Sequence, residues 1–199
     1  MHRIVLASNS PRRKELLAGL DIPFSVRVLD GIDESYPPTL SPVEIPQFLA
    51  KNKAEAYKST MADDEVVITA DTVVVLDEEV LGKPADRADA VHMLKELSGK
   101  THQVITGVCL TTTSTQRVFG VTTEVTFKTF TDEEINYYVD TYKPMDKAGA
   151  YGIQEWIGYV GVTALNGSYF NVMGLPVQRI YAELQKMGIL FIELEKKLK

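Results

Sequence analysis

A run of polar and basic residues near the start of the chain has the residue types and spacing that suit a phosphate group. The segment Ser8-Asn9-Ser10-Pro11-Arg12-Arg13 stands where an apolar segment ends and a helix is expected to begin. The amino end of a helix offers unpaired N–H groups and a positive dipole, and two guanidinium groups add charge. A phosphate could therefore contact Ser8, Ser10, Arg12 and Arg13, although an ordinary helix cap with solvated arginines would have the same sequence. The P-loop pattern G-x-x-x-x-G-K is absent.

Asp71 interrupts the segment Val66 to Leu76, which otherwise consists of small, apolar and β-branched residues. An ionised carboxylate in such a segment is destabilising unless a cation or a metal ion compensates its charge. A solvated surface position is therefore a poor explanation for this residue. Asp71 either forms a tight turn with Thr72 between two strands or has a chemical role, and the local pattern leaves both interpretations open.

Lys53 lies in a long helix that is expected to begin at the capping-box pattern Ser41-Pro42-Val43-Glu44 and to continue to about Thr60. At about 100° per residue, one apolar arc of this helix contains Ile45, Phe48, Leu49 and Ala56. Lys53 lies at the edge of that arc, so its ammonium group could reach either water or a cleft.

Two loops add further candidates, and each has a plain structural alternative. The glycine of Leu81-Gly82-Lys83-Pro84 would let a ligand approach the backbone while Lys83 supplies charge, but for this segment taken by itself a plain β-turn with an exposed lysine is the better explanation. Glu34, in the loop from Asp30 to Leu40, could hold a divalent cation together with Asp71 or could face solvent.

The elements that would position these residues form an α/β pattern. Strands are expected at residues 3–8, 24–29, 66–76, 101–115 and 117–130, the third as one strand or a bent pair, and the last two as a hairpin or meander. Helices are expected at residues 11–20, 41–60, 86–98, 131–142 and 175–187. Residues 143–174 are punctuated by glycine, with short strand candidates, and residues 189–199 stay unassigned. We expect one domain over residues 1–199 with a mixed central sheet and flanking helices.

Glycine-rich segments in the second half could also contact a ligand. Gly149 to Gln154 and Gly167 to Pro176 contain enough glycine for their backbone to approach a flat molecule. Ordinary loops would produce the same composition, so the pattern leaves both interpretations open.

Composition and charge exclude several classes of function. The 199 residues carry a formal net charge of −6, which disfavours a nucleic acid polymer or a membrane as partner but allows a small phosphorylated ligand. Cys109 is the only cysteine, so no intrachain disulfide can form, and the three histidines lack metal-ligand spacing. No segment has the length of a membrane span or the pattern of a signal peptide, so we expect a cytoplasmic protein.

The order of these segments resembles the Maf family of nucleotide pyrophosphatases. The resemblance runs from about Ile4 to about Leu184, nearly the whole chain. Besides the loop acid, the segments that carry it are S-x-S-P-R-R, K-A in the long helix, A-D-T-V-V, L-G-K-P, H-x-V-x-T-G-V, D-K-A-G-x-Y-G-I-Q and G-S-Y-x-N-V-x-G-L-P.

The resemblance implies a mixed α/β fold of the Maf and ITPase-like type, with two lobes around a cleft, and often a homodimer. It implies activity on nucleoside triphosphates with a divalent cation, Mg²⁺ or Mn²⁺. Carried over residue by residue, it assigns phosphate binding and catalysis to Ser8, Arg12, Arg13, Glu34, Lys53, Asp71 and Lys83. The dTTP/UTP type is similar to this chain at Arg13, Thr72 and Gln154. Glu155-Trp156 follows Gln154 where the family commonly has Gly, which adds charge and bulk near the expected base pocket.

The resulting hypothesis is hydrolysis of a nucleoside triphosphate, dTTP or UTP, to the monophosphate and pyrophosphate. Asp71, with Glu34, would position the divalent cation and orient water against the α-phosphorus. Whether Asp71 is the general base or only a metal ligand stays open at this point. Two alternatives are a pyrophosphatase for another modified or noncanonical nucleotide and a non-catalytic nucleotide-binding regulator of cell division.

Overall fold

A computed structural model of the chain describes residues 2–189, so that of the tail only Ile189 lies within the described part. One mixed sheet of seven strands forms the centre of this part. The strands are β1 (Arg3–Leu6), β2 (Phe24–Val26), β3 (Glu65–Leu76), β4 (Glu79–Leu81), β5 (Thr101–Thr111), β6 (Gln116–Phe127) and β7 (Val162–Asn166). The helices are α1 (Pro11–Ala18), α2 (Glu44–Tyr57), α3 (Arg87–Leu97), α4 (Asp132–Tyr142), α5 (Trp156–Gly161), α6 (Tyr169–Met173) and α7 (Val177–Lys186).

The predicted α/β fold with a mixed central sheet and flanking helices is confirmed. The strand order is β2-β1-β3-β5-β6-β7, with β4 paired to β3 beside this path. β1 is parallel to both β2 and β3, whereas β4, β5, β6 and β7 pair antiparallel. The hairpin predicted from the Val- and Thr-rich middle of the chain is β5 and β6. Within residues 2–189, no helix combines the length and the apolar character that a membrane crossing requires.

The two faces of β3 contact different helices, because successive side chains of a strand point to opposite faces. Val66 and Ile68 pack against α1 and α7 in one apolar cluster. Val74 and Leu76, on the same face, pack in a second cluster with α3 and α4. These two clusters are the cores of two lobes. On the opposite face, Val73 and its neighbours pack against α2.

Small residues let α2 lie very close to the sheet. A Cβ atom built on Gly107 of β5 would lie only 2.2 Å from the carbonyl carbon of Pro46, so only glycine fits at this crossing. Ala50 and Ala54 of α2 are fully buried and pack against Cys109 of β5. The hydroxyl of Thr69 donates a hydrogen bond to the carbonyl of Ala50 at 2.6 Å, which joins α2 directly to β3.

Side-chain caps explain where the helices begin. At α4 the predicted capping box is confirmed: Thr131 Oγ1 accepts the N–H of Glu134 at 3.2 Å, and the Glu134 carboxylate accepts the N–H of Thr131 at 3.0 Å. α2 begins at Glu44 rather than at the predicted Ser41. The Glu44 carboxylate still accepts the N–H of Ser41 at 2.9 Å, because residues 41–43 form a turn ahead of the helix.

Several local predictions were wrong. β1 and β2 end at Leu6 and Val26, short of the predicted residues 8 and 29. The apolar arc predicted for α2 includes Phe48, which is 37% exposed. Within residues 143–174 the chain forms two short helices, α5 and α6, besides one strand, β7. Helices of six and five residues are too short to show a helical periodicity. The short strand β4 was not predicted either.

Candidate functional site

β3 lacks a neighbouring strand over its central residues on one edge. β1 pairs with β3 only as far as Ile68, and β4 pairs with β3 only from Val74 onward. On the other edge, β5 pairs with β3 continuously from Val67 to Val75. The sheet therefore forks around residues 69–73, and a ligand can approach the backbone and side chains there.

A cavity of about 690 Å³ opens at this fork, between the two lobes. That volume is large enough for a drug-sized or nucleotide-sized ligand. All the residues that the sequence predicts for substrate or metal line this one cavity: Ser8, Ser10, Arg12, Arg13, Glu34, Lys53, Asp71, Thr72, Lys83 and Gln154.

Two carboxylates meet one ammonium group on the α2 side of β3. Lys53 Nζ lies 2.7 Å from Asp71 Oδ1 and 2.9 Å from Glu34 Oε1. The side chains of Asp71 and Lys53 are 17% and 16% exposed, so each compensates a charge that is largely removed from water. The hydrogen bond from Lys53 is the main cause that holds the pKa of Glu34 below its usual value. Asp71 lies inside the continuous strand β3, so its interpretation as a turn residue was wrong.

The position of Lys53 follows from the packing of α2. Lys53 lies one turn after Ala50, whose carbonyl accepts the hydroxyl of Thr69. Thr69 and Asp71 are two residues apart in β3 and therefore point to the same face. The close approach of α2 at Gly107 brings the ammonium group onto the carboxylate, and Gly107 is also the residue of β5 that pairs with Asp71.

Arg13 occupies the fork from the opposite face. Its Nη1 donates to the carbonyl of Ala70 at 2.9 Å, its Nε to the carbonyl of Gly174 at 2.8 Å, and its Nη2 to Thr72 Oγ1 at 3.1 Å. The carbonyl of Ala70 belongs to the uncovered edge of β3, so Arg13 takes the hydrogen bond that a neighbouring strand would otherwise make. Burial lowers the pKa of Arg13. Arg13 thus fixes the floor of the cleft in addition to its predicted role with phosphate.

The predicted phosphate-binding segment lies at the start of α1. Ser10 Oγ accepts the N–H of Arg13 at 3.4 Å and Pro11 is the first residue of the helix, as the sequence predicts. The Ser8 hydroxyl accepts the N–H of Ser10 at 3.2 Å, which keeps the loop tight. Arg12 Nη1 lies 3.3 Å from Asp146 Oδ2 across the cleft. The Arg12 side chain is 25% exposed, so it is partly sheltered by the cleft.

Gly82 and Lys83 lie in the loop after β4 and line the cavity. The carbonyl of Gly82 accepts the N–H of Gly149 at 3.0 Å, which ties this loop to the glycine-rich segment. Within the described residues, Lys83 makes no ion pair, so its charge is available to a ligand in the cavity.

Thr72 and Gln154 also line the cavity. The Thr72 hydroxyl lies 2.9 Å from Thr106 Oγ1 and accepts a bond from Arg13, so its orientation is fixed. Gln154 Oε1 is enclosed and has no hydrogen-bond partner among residues 2–189. An enclosed amide oxygen without a partner is destabilising, and it marks a position whose partner is supplied by a ligand or by a rotation of the amide.

Sequence reasoning did not single out Asp146, Lys147 and Tyr151, which also line the cavity. The sequence pattern that could have identified them is D-K-A-G-x-Y-G-I-Q, which carries part of the family resemblance. Lys147 is only 8% exposed and contacts Asp146 at 2.8 Å and Glu155 at 3.2 Å. The carboxylate of Glu155 also accepts the hydroxyl of Tyr138. The predicted extra charge near the base pocket is thus paired within the protein.

The donors that the site offers suit Mg²⁺ or Mn²⁺ bound jointly by protein and substrate. In residues 2–189, no group of three or more histidine, cysteine, aspartate and glutamate side chains could enclose a metal ion. Asp71 and Glu34 nevertheless place two carboxylates around one cation, the ammonium of Lys53. Mg²⁺ usually binds one or two carboxylates together with substrate phosphates and water, so these two residues fit that role.

The chain is similar in sequence to several known proteins. A family model described as "Maf-like protein" matches residues 3–187. The chain is 63% identical over 186 residues to a dTTP/UTP pyrophosphatase of Phocaeicola vulgatus, covering 94% of this chain and 96% of that protein. It is 58% identical over 186 residues to a dTTP/UTP pyrophosphatase of Bacteroides thetaiotaomicron, with the same coverage. Among solved structures, the Ham1 protein of Staphylococcus aureus is 16% identical with a TM-score of 0.49, covering 93% of this chain and 99% of that chain.

Proposed function

The chain belongs to the Maf-like protein family, and on that premise we propose that it hydrolyses dTTP and UTP to the nucleoside monophosphate and pyrophosphate. Relatives that are 63% and 58% identical over nearly their whole length bear the name dTTP/UTP pyrophosphatase. The observation that carries the proposal is Asp71 on the uncovered edge of β3, facing a cavity lined with arginine and lysine side chains.

The cations of the cavity match the charge of a triphosphate. Arg12 and Lys83 line the cavity from two different elements, Arg12 from α1 and Lys83 from the loop after β4. The amino end of α1 adds N–H groups and a positive dipole. These groups would hold the phosphate chain and stabilise the negative charge that builds up on the leaving pyrophosphate. Lys53 would add to them once a ligand competes for Asp71.

Hydrolysis at the α-phosphorus needs a water molecule in line with the leaving pyrophosphate. The Asp71 carboxylate would orient this water and accept its proton while the oxygen forms the new bond to the α-phosphorus. The bond from the α-phosphorus to the bridging oxygen breaks, and its electrons leave with pyrophosphate. Lys53 holds the carboxylate in place and compensates its negative charge in the largely buried position, at a distance of 2.7 Å.

A divalent cation, Mg²⁺ or Mn²⁺, bound by Asp71 and Glu34 would neutralise phosphate oxygens and make water a better nucleophile. Asp71 would then have two tasks, as a ligand of the cation and as the group nearest the attacking water. Glu34 is the more exposed of the two carboxylates and comes from a loop, so it can leave Lys53 when a ligand arrives.

Thymine and uracil suit the part of the cavity that Gln154 lines. Both bases present an N–H donor between two carbonyl acceptors, and the amide of Gln154 carries one acceptor and one donor group side by side. Gln154 Oε1, which has no partner in the described part of the chain, would accept the base N–H after a small rotation. This pairing tolerates a substituent at the C5 position, so modified pyrimidine nucleotides are further candidate substrates. A non-catalytic regulator would not need Asp71 and its ammonium partner, and both are present.

A cytoplasmic location and a homodimer complete the proposal. The cytoplasm supplies the nucleotide substrate, and the single Cys109 is buried and free. Exposed aromatic side chains lie on the helices that flank the edge strand β7, with Tyr159 84% exposed before the strand and Tyr169 and Phe170 after it. A second copy of the chain could cover this apolar surface, and sedimentation of the purified protein would reveal the dimer.

A panel of purified nucleoside triphosphates tests the proposed activity. The chain is incubated with dTTP, UTP, CTP, ATP and GTP in the presence of Mg²⁺ or Mn²⁺, and pyrophosphate and orthophosphate are measured separately. We expect pyrophosphate and the monophosphate as first products, fastest with dTTP and UTP. Orthophosphate as the first product would show that a different bond is broken, and equal rates with ATP and GTP would refute the base assignment.

A further inference from the structure

A buried network of side chains surrounds the segment that carries Gln154. The hydroxyl of Tyr138, in α4, accepts the N–H of Gly152 at 3.0 Å and donates to Glu155 Oε2. One hydroxyl therefore contacts both the start of the segment Gly152–Gln154 and the residue that follows it. Tyr138 has no exposed surface, and its ring stacks on Tyr142 with the ring centres 5.1 Å apart.

Lys147 completes the network on the side of the cavity. Its ammonium group lies 3.2 Å from Glu155 Oε1 and 2.8 Å from Asp146 Oδ1. Because Lys147 is almost fully buried, its charge needs a carboxylate partner that is also sheltered from water. Asp146 is largely exposed, whereas the Glu155 side chain is 19% exposed, so Glu155 is the partner that fixes the ammonium group.

The side chains converge on one point of the backbone. A Cβ atom built on Gly152 would lie 3.0 Å from Gln154 Nε2, 3.1 Å from the carboxyl carbon of Glu155 and 3.1 Å from Lys147 Cε. The amide of Gln154 is thus packed in one small space with the two charged side chains. Displacement of either charged group changes the room and the electrostatic field that the amide experiences.

The orientation of this amide decides which base it can pair with. Thymine and uracil offer a donor at N3, whereas cytosine offers an acceptor at N3 beside an amino donor. A glutamine amide pairs with either kind if it turns by half a turn, because its oxygen and nitrogen exchange places. Discrimination between these bases therefore requires that the surrounding protein allow only one orientation.

We propose that Glu155 is a positioning residue that, through Tyr138 and Lys147, holds the amide of Gln154 in one orientation and thereby sets selectivity for thymine and uracil over cytosine. Glu155 acts without contact to the nucleotide, because it is not among the described residues that line the cavity and its two carboxylate oxygens face Tyr138 and Lys147. This inference rests on the proposed function. It assigns the charged residue after Gln154 to base selectivity rather than to catalysis.

Two conservative variants test the network with purified full-length protein. Glu155→Gln keeps the size of the side chain but removes the charge that compensates Lys147. Tyr138→Phe keeps the ring but removes the hydroxyl that joins Gly152 to Glu155. We expect each variant to lower the ratio of kcat/KM for dTTP over dCTP by about tenfold, the factor that corresponds to one hydrogen bond. The kcat for dTTP should stay within about threefold of the wild-type value while its KM rises.

Matched controls on the same helix separate selectivity from general damage. Tyr142→Phe removes a hydroxyl from the ring that stacks on Tyr138, and Glu133→Gln neutralises an exposed carboxylate of α4; neither should change the ratio. A merely structural role of the network would lower the activity on both nucleotides equally and leave the ratio unchanged. An unchanged ratio in Glu155→Gln overturns the inference. The inference is also overturned if the wild-type chain hydrolyses dCTP as fast as dTTP.

The outcome also distinguishes the two proposals. A wild-type chain that releases no pyrophosphate from any triphosphate refutes the proposed function and this inference with it. Wild-type activity together with an unchanged ratio in the variants refutes the inference alone. Circular dichroism and thermal unfolding establish which variants are folded, and if Tyr138→Phe fails to fold, the ratio measured for Glu155→Gln decides the outcome.

Discussion

Acidification from pH 7 to pH 5 should weaken the fold through one buried histidine. His102 is 1% exposed, its Nδ1 has no hydrogen-bond partner among residues 2–189, and its Nε2 lies 2.6 Å from the hydroxyl of Tyr151 in the cavity wall. The ring packs 5.0 Å from the ring of Phe127. Burial lowers the pKa of His102 from 6.5 to about 4, because the charged form would lose its water.

The sign and size of the effect follow from proton binding. Between pH 6.5 and about pH 4, the unfolded chain binds a proton at His102 that the folded chain does not bind, so stability falls as pH falls. A pKa difference of one corresponds to about 1.4 kcal/mol, so the complete effect is about 3 kcal/mol. About 2 kcal/mol of this should appear between pH 7 and pH 5.

Chemical denaturation at pH 7, 6 and 5 measures the free energy of unfolding of the wild type, His102→Gln and His92→Gln. His102→Gln should be less stable at pH 7, because the core loses ring packing, but it should lose about 2 kcal/mol less than the wild type on acidification. His92 is exposed, so His92→Gln should follow the wild type. The same pH dependence in the wild type and His102→Gln would refute the reasoning.

Further predictions concern the site and the crossing that positions it. Asp71→Asn should reduce pyrophosphate release by about 10³-fold, while nucleotide still binds in a calorimetric titration. Asp63→Asn, at an exposed position, is the control and should change neither quantity. If Asp71→Asn retains turnover, Asp71 does not take part in the reaction. Removal of divalent cations with EDTA should stop turnover and addition of Mg²⁺ or Mn²⁺ should restore it; turnover that persists in EDTA contradicts the role given to the two carboxylates. Gly107→Ala should destabilise the fold by about 2 kcal/mol or more in urea unfolding, because its Cβ would lie 2.2 Å from the backbone of α2. Gly82→Ala, whose Cβ meets no atom within 4 Å, is its control, and equal stability of the two variants would show that α2 can move away from the sheet.

Much of the local structure was predictable because its causes lie within a few residues of the chain. Pro11 after Ser10 marks the start of α1, and Thr131 with Glu134 marks the start of α4, through hydrogen bonds that span three residues. The charge that Asp71 places in an apolar strand predicts a compensating cation, and the structure supplies it as Lys53. Helices shorter than two turns, α5 and α6, leave no periodic pattern and escaped prediction.

The sequence by itself determined which residue types could serve a triphosphate and in what order they occur along the chain. Only the tertiary structure decided that β1 and β4 leave the same edge of β3, so that Asp71 lies open to a cavity instead of facing another strand. It also decided that Arg13 bonds to the uncovered carbonyl of Ala70, and that Glu155 pairs with Lys147 instead of lining the cavity. These contacts join residues far apart in the chain, and strand pairing and burial at such distances depend on the packing of the whole fold rather than on any local pattern of residues.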